Sequence, residues 1–237
     1  SRVAVLQREM SPELYAQEFE VSWTAALKGS YFGSRIEQLH IDNRICSVPY
    51  DPELPVHTWW DLGVRHSTVV WFVQTSGRDI RVIRCDEFQG MGLPAIVKQI
   101  GSYGYKFGTH VAPHDIGVQE FGADNATRKE IAYGLGIDFV VCPKIPVADG
   151  IEAVRNTLPR CWFDEKECRY GLQALSQYRS EFDDKRNVFR SKPLDDWSAD
   201  FADSFRYGCV YMGTGQQRLN FGTGGQIDYT ERDRRVI

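Results

Sequence analysis

Val56-His57-Thr58-Trp59-Trp60-Asp61-Leu62, then Thr68-Val69-Val70-Trp71-Phe72-Val73-Gln74-Thr75, then Ile80 to Phe88, form the stretch on which the fold turns. β-Branched and aromatic residues dominate the segments, and Ser76-Gly77-Arg78-Asp79 supplies the turn between the second and third. The second segment is apolar at nearly every position, the pattern of a strand buried on both faces. The spacing predicts three strands in an antiparallel meander. The first runs into Asp61-Leu62-Gly63, which puts a carboxylate at its end.

Downstream the pattern alternates. Leu93, Ile96, Val97 and Ile100 recur at helical spacing over Leu93 to about Tyr103. Thr109 to Ala112 reads as a short strand stopped by Pro113, with His114-Asp115 directly after it. A helical pattern resumes from Asp124, where Thr127-x-x-Glu130 has the form of a capping box, and Asp138 to Cys142 is another buried strand. Asp149-x-x-Glu152 opens a helix with Ile151, Val154 and Leu158 on one face. Asp164-x-x-Glu167 opens a longer one that gathers Cys168, Leu172, Leu175 and Tyr178. The last helix spans Asp196 to Tyr207, with Phe201, Ala202, Phe205 and Cys209 on one side. Asp196, Asp200 and Asp203 fall at i, i+4 and i+7 on the other side. Read alone, that acidic stripe is a solvated face.

The order β-β-β-α-β-α-β-α-α-α predicts an α/β fold. Three antiparallel strands are followed by parallel strands in one mixed sheet, with helices on both faces. If the first and fourth strands lie side by side and parallel, Asp61 and Asp115 emerge at one end of the sheet, where open α/β sheets place their ligands. Pro49, Pro52 and Pro55 mark a boundary. Residues 1–54, with a short helix opened by Ser11-Pro12-Glu13, read as an arm; residues 55–212 as the main domain; residues 213–237, rich in Gly, Gln, Thr and charge, as a flexible tail. The opening Ser1-Arg2-Val3 without a Met suggests a piece of something longer or a processed product.

Among 237 residues, 42% are hydrophobic and 25% charged, and no apolar run is long enough for a membrane helix. The net charge of −4 does not announce a nucleic-acid ligand, but phosphate contacts depend on local basic patches rather than the total. Six cysteines never form a C-x-x-C pair, which argues against zinc and suits a reducing setting. No G-x-x-x-x-G-K-[ST] occurs, so an ATP-hydrolysing P-loop is not expected.

Carboxylates brought together without basic partners raise one another's pKa, a cost relieved by a cation between them. Mg²⁺ and Mn²⁺ prefer such oxygen ligands, and two ions about 4 Å apart form a clamp for phosphodiester hydrolysis. Asp61, Asp115 and Asp203, with Asp200 one turn away, supply such a set. Glu87, on the third strand, His114 and Asp196 are candidates for supporting positions around it. His66 reads as surface or supporting polarity. Arg128, Lys129, Lys144, Arg155, Arg190 and Lys192 are the basic residues nearest the inferred rim, suited to sequence-blind phosphate contacts, although solvated surface is the simpler reading for any one of them. Trp59, Trp60, Trp71 and Trp162 read as core.

Asp61-Leu62-Gly63, Pro113-His114-Asp115 and Pro193-x-x-Asp196-Trp197-Ser198-x-x-x-Ala202-Asp203-x-Phe205-Arg206-Tyr207 carry a resemblance, joined by Gly150-Ile151-x-Ala153-Val154-Arg155. Over about residues 55–212 the chain resembles the nuclease domain of the terminase large subunit of tailed phages, which has an RNase H-like fold related to Holliday-junction resolvases. The resemblance implies a metal-dependent endonuclease that cuts concatemeric double-stranded DNA during packaging, using Mg²⁺ or Mn²⁺, with two ions expected. It implies Asp61, Asp115 and Asp203 as the metal-binding acids. It implies residues 1–50 as the connection from an ATPase domain, portal and small terminase subunits as partners, and the host cytoplasm, transiently the procapsid portal, as the location. Asp195 and Asp200 stand where the family commonly has His, which makes Asp200 a candidate fourth ligand or outer-sphere acid. A junction resolvase or transposase-like nuclease, and a non-catalytic scaffold, are the alternative readings of the same fold.

Overall fold

Trp59 and Trp60 are adjacent in sequence, and each is completely buried. Successive residues of a strand point to opposite faces, so this pair requires a core on both sides of the sheet. That is what the computed structural model contains; it describes residues 29–63, 67–117, 126–183 and 188–214. The expected helix near Ser11 to Glu20, the tail after Thr214, His66 and Asp124 lie outside the described residues.

The strands β2 (Val56–Leu62), β3 (Ser67–Ser76) and β4 (Asp79–Gln89) form the expected antiparallel meander. β5 (Phe107–Ala112) runs parallel to β2, with Thr58 opposite His110 and Trp59 opposite Val111, and β6 (Phe139–Val141) extends that side. On the far side β7 (Cys161–Asp164) runs parallel to β4, and β1 (Ile45–Cys46) parallel to β7. The seven strands lie in the order β1-β7-β4-β3-β2-β5-β6, and β8 (Ser180–Asp183) and β9 (Val188–Pro193) make a separate hairpin.

One face of the sheet is covered by α1 (Gly33–Ile41), α4 (Val147–Thr157), α5 (Arg169–Gln177) and α6 (Ala199–Gly213). Their core gathers Trp59, Trp71, Val154, Phe163, Leu172 and Phe205. The Trp71 ring stands edge-on to Phe205 at 5.1 Å, an arrangement that favours aromatic pairs beyond the area they bury. The other face carries α2 (Leu93–Gly101) and α3 (Arg128–Gly134), over a core of Trp60, Phe72, Ile96, Ala132 and Phe139. The chain is an α/β fold with a mixed sheet between two helical layers. No described helix is long and apolar enough to cross a membrane.

Several local expectations need correction. Asp164 does not open a helix. It ends β7, and its carboxylate accepts hydrogen bonds from the backbone N–H groups of Val48 at 2.9 Å and Glu167 at 2.9 Å; α5 begins only at Arg169. Asp196 lies ahead of α6, where its Oδ1 accepts from the Ser198 N–H at 2.9 Å and hydroxyl at 2.6 Å, so it leaves the stripe formed with Asp200 and Asp203. β7 and the hairpin do not appear in the sequence reading. Their strands are short, and the hairpin is polar, so neither shows an alternating apolar run. Residues 29–48, read as part of an arm, supply α1, β1 and the core side chains Phe32, Ile36 and Leu39. Thr127 and Glu130 form the expected capping box.

Candidate active site

Asp61 lies on β2 opposite Val69, and Val69 lies opposite Glu87 on β4, so the two acids share one row and one face of the sheet with a valine between them. The parallel pairing of β2 with β5 carries the chain to Asp115, three residues beyond Ala112 at the same end of the sheet. α6 crosses this face. The Ser204 hydroxyl donates to the Trp59 carbonyl at 2.8 Å, the Trp71 indole to the Phe201 carbonyl at 3.0 Å, and the Ser67 hydroxyl to Asp200 Oδ2 at 3.1 Å. These bonds set the height and rotation of the helix that bears Asp200 and Asp203.

The consequence is electrostatic. Burial raises the Asp61 carboxyl well above the usual carboxylate range, and the charges of Asp203, Asp200 and Asp115 raise it further. Arg206 opposes them. Asp115, from beyond a strand end, and Asp200 and Asp203, from a helix, therefore act on the Asp61 carboxyl. They are not gathered into a ready ligand set: among the described residues, no three His, Cys, Asp or Glu side chains form a group able to hold an ion. Asp200 accepts from Ser67, and Asp203 faces Arg206 at 2.9 Å and the Tyr178 hydroxyl at 3.4 Å. The donors are nevertheless hard carboxylate oxygens relieved only in part by one guanidinium, which is the chemistry a divalent Mg²⁺ or Mn²⁺ ion suits.

Three neighbours escaped the sequence reading as site residues. The Tyr207 hydroxyl is pushed up first by burial and then by Asp203, Asp61 and Asp115, so it stays protonated beside the acids. Tyr178, expected only as a core residue, has its ring buried and its hydroxyl on Asp203. Arg206 is 7% exposed and ion-paired to Asp203. The sequence signal was the Asp203-x-x-Arg206-Tyr207 spacing, which puts Arg206 on the same helical face one turn on.

The remaining candidates are dispersed. Glu87 accepts from the Gln89 side chain at 3.0 Å, and Asp196 pairs with Arg179 at 3.4 Å. His114 is exposed in the turn before Asp115. Arg128 donates to the Leu62 carbonyl, next to Asp61, and so ties the start of α3 to the end of β2. Lys144 is exposed in the loop after β6, Lys129 is half-buried on α3, and Lys192 is exposed on β9, where Arg190 pairs with Glu181 at 3.0 Å. Arg155 is committed elsewhere: its guanidinium bonds the Tyr31 carbonyl at 3.0 Å and Glu152 at 2.6 Å.

No family model matches the chain. No curated protein matches it either. Solved structures do. The large terminase of a thermophilic bacteriophage superposes with a TM-score of 0.57 at 14% identity, over 90% of this chain and 53% of that one. The P22 large terminase nuclease domain does so at 0.55 and 17% identity, over 72% of this chain and 89% of that one. The large terminase nuclease of thermophilic phage G20c gives 0.52 at 15% identity, over 78% and 98%, and its cobalt-bound form gives 0.51 at 14% identity, over 76% and 96%. The chain spans about half the length of the first of these terminases but nearly all of the isolated nucleases. At these identities the likeness is one of architecture: the chain has the RNase H-like fold of large-terminase nuclease domains.

Proposed function

We propose that this chain is a metal-dependent endonuclease, the nuclease domain of a tailed-phage terminase large subunit, which cuts concatemeric double-stranded DNA during packaging. The observation that carries the reading is the charge coupling of Asp61 to Asp115, Asp200 and Asp203 at the end of β2, together with the fold likeness. Asp61, Asp115 and Asp203, with Asp200 as a fourth candidate, would hold Mg²⁺ or Mn²⁺, and two ions are proposed. When bound, such ions supply an activated water and a counter-charge for the leaving oxygen of the phosphodiester.

The chain's own residues prepare that chemistry. Asp61 is partly buried, which weakens the screening of its own charge by bulk water. Tyr207 retains its proton and can donate it in a hydrogen bond to a phosphate oxygen. Lys129, Lys144 and Lys192 are proposed as phosphate contacts; the bonds already made by Arg155 leave it a poor candidate. The absence of a P-loop sequence supports a chain that hydrolyses no ATP itself. An ATPase domain of the same parent, a portal and a small terminase subunit are the proposed partners, with action in the host cytoplasm and at the procapsid portal.

Asp61→Asn tests the reading. The variant should fold, lose cutting of supercoiled plasmid in Mn²⁺, and lose the rise in melting temperature that millimolar Mn²⁺ gives the parent over chelator. Plasmid cutting at the parent rate by this variant refutes the assignment. A strong preference for four-way junctions over linear duplex would point instead to a resolvase.

A further inference from the structure

Asp203 is held by one of its two oxygens. Arg206 donates to Oδ1 through Nη2 at 2.9 Å and through Nε at 3.3 Å, and the Tyr178 hydroxyl approaches the same oxygen at 3.4 Å. Every hydrogen bond that Asp203 accepts from the described residues goes to Oδ1, and none reaches Oδ2. The seat of Arg206 is made to fit. Its guanidinium carbon lies 4.9 Å from the Tyr207 ring centroid, and a β-carbon at Gly150 would come within 2.6 Å of its Cδ and 2.9 Å of its Cγ. Only glycine at position 150 lets the arginine stem lie against α4 in this way.

We propose that Arg206, seated against Gly150 and assisted by Tyr178, is the positioning residue of this site. It occupies Oδ1 of Asp203, leaves Oδ2 as the one oxygen offered to a cation, and lowers cation affinity by its own charge. The inference rests on the nuclease reading above. The two roles pull in opposite directions. The charge repels a divalent ion, whereas the planar fork holds the carboxylate in the orientation that cutting needs.

Calorimetric titration with Mn²⁺ and plasmid cutting at saturating Mn²⁺ separate them. Arg206→Gln should bind Mn²⁺ about ten-fold more tightly, because one repelling charge is gone. It should still cut about ten-fold more slowly or worse, because Asp203 is no longer held. Arg206→Lys should keep the parent affinity and share the slow cutting, since an ammonium does not reproduce the fork. A merely structural role would weaken affinity and cutting together in Arg206→Gln, and that result overturns the proposal. So does cutting at the parent rate by Arg206→Lys, which decides alone if Arg206→Gln does not fold. Failure of the parent protein to bind Mn²⁺ would instead overturn the nuclease reading, with Arg206 still paired to Asp203.

Discussion

Replacing Gly208 with alanine should separate α6 from the sheet. A β-carbon there would lie 1.9 Å from Cδ2, 2.2 Å from Cγ and 2.4 Å from Cε2 of Trp59, where ordinary contact begins near 3.4 Å. The indole has no room to retreat, being fully buried and edge-on to Phe205 at 5.1 Å. The helix must therefore lift by about 1.5 Å, the shortfall in that contact. A lift of that size breaks the Ser204–Trp59 bond of 2.8 Å and the Trp71–Phe201 bond of 3.0 Å. Two lost hydrogen bonds at about 1 kcal/mol each, with about 1–3 kcal/mol of overpacking, give roughly 3–5 kcal/mol. For a chain of this size that lowers the melting temperature by about 6–20 °C. Asp200 and Asp203 ride on the same helix, so cutting should fall by about a hundred-fold even below the melt. Gly213→Ala is the control: it lies at the end of the same helix with nothing within 4 Å of the added carbon, and should melt at or slightly above the parent temperature. Calorimetric melts of the three proteins check this. A Gly208→Ala melt that matches the parent refutes the close contact between α6 and β2.

Further predictions concern buried polarity and pH. The Trp60 indole donates to the Thr58 hydroxyl at 2.6 Å, and that hydroxyl in turn shares a hydrogen bond of 2.6 Å with His110 Nδ1. Thr58→Val strands both buried partners, and urea titration should show a loss of about 2–5 kcal/mol; a loss below about 1 kcal/mol contradicts the relay. Burial lowers both His57 and His110 from 6.5 to about 4. The folded state therefore binds fewer protons than the unfolded chain between those values. Stability should be complete above about pH 6.5 and fall as the pH drops to about 4, with His110 accounting for about 3 kcal/mol. Denaturation at stepped pH measures the slope, and His110→Asn should make it shallower; an unchanged slope speaks against a buried neutral His110. Asp61 has the opposite sign. Its folded pKa is raised, so its charge costs stability as the pH rises through that value. Without metal, Asp61→Asn should therefore melt higher than the parent at neutral pH, and a lower melting temperature would contradict the burial of that charge.

The strands β2, β3 and β4 and the cap of α3 were legible because their signals are local. Alternation, β-branched runs and a Thr-x-x-Glu spacing lie within a few residues of one another. The same local logic misplaced Asp164, whose carboxylate caps backbone groups at the end of a strand instead of starting a helix. It also put Asp196 on a stripe that begins only after it. The amino-acid sequence by itself determined which residues are apolar enough to build two cores around one sheet, and that Asp61 and Asp115 stand at or just beyond strand ends. Tertiary structure alone decided that β5 lies parallel beside β2, that Gly208 rests on Trp59, and that Arg206 and Tyr178 share one oxygen of Asp203. These contacts join different elements of the fold or arise from how tightly α4 and α6 pack, and local periodicity contains no term for that closeness.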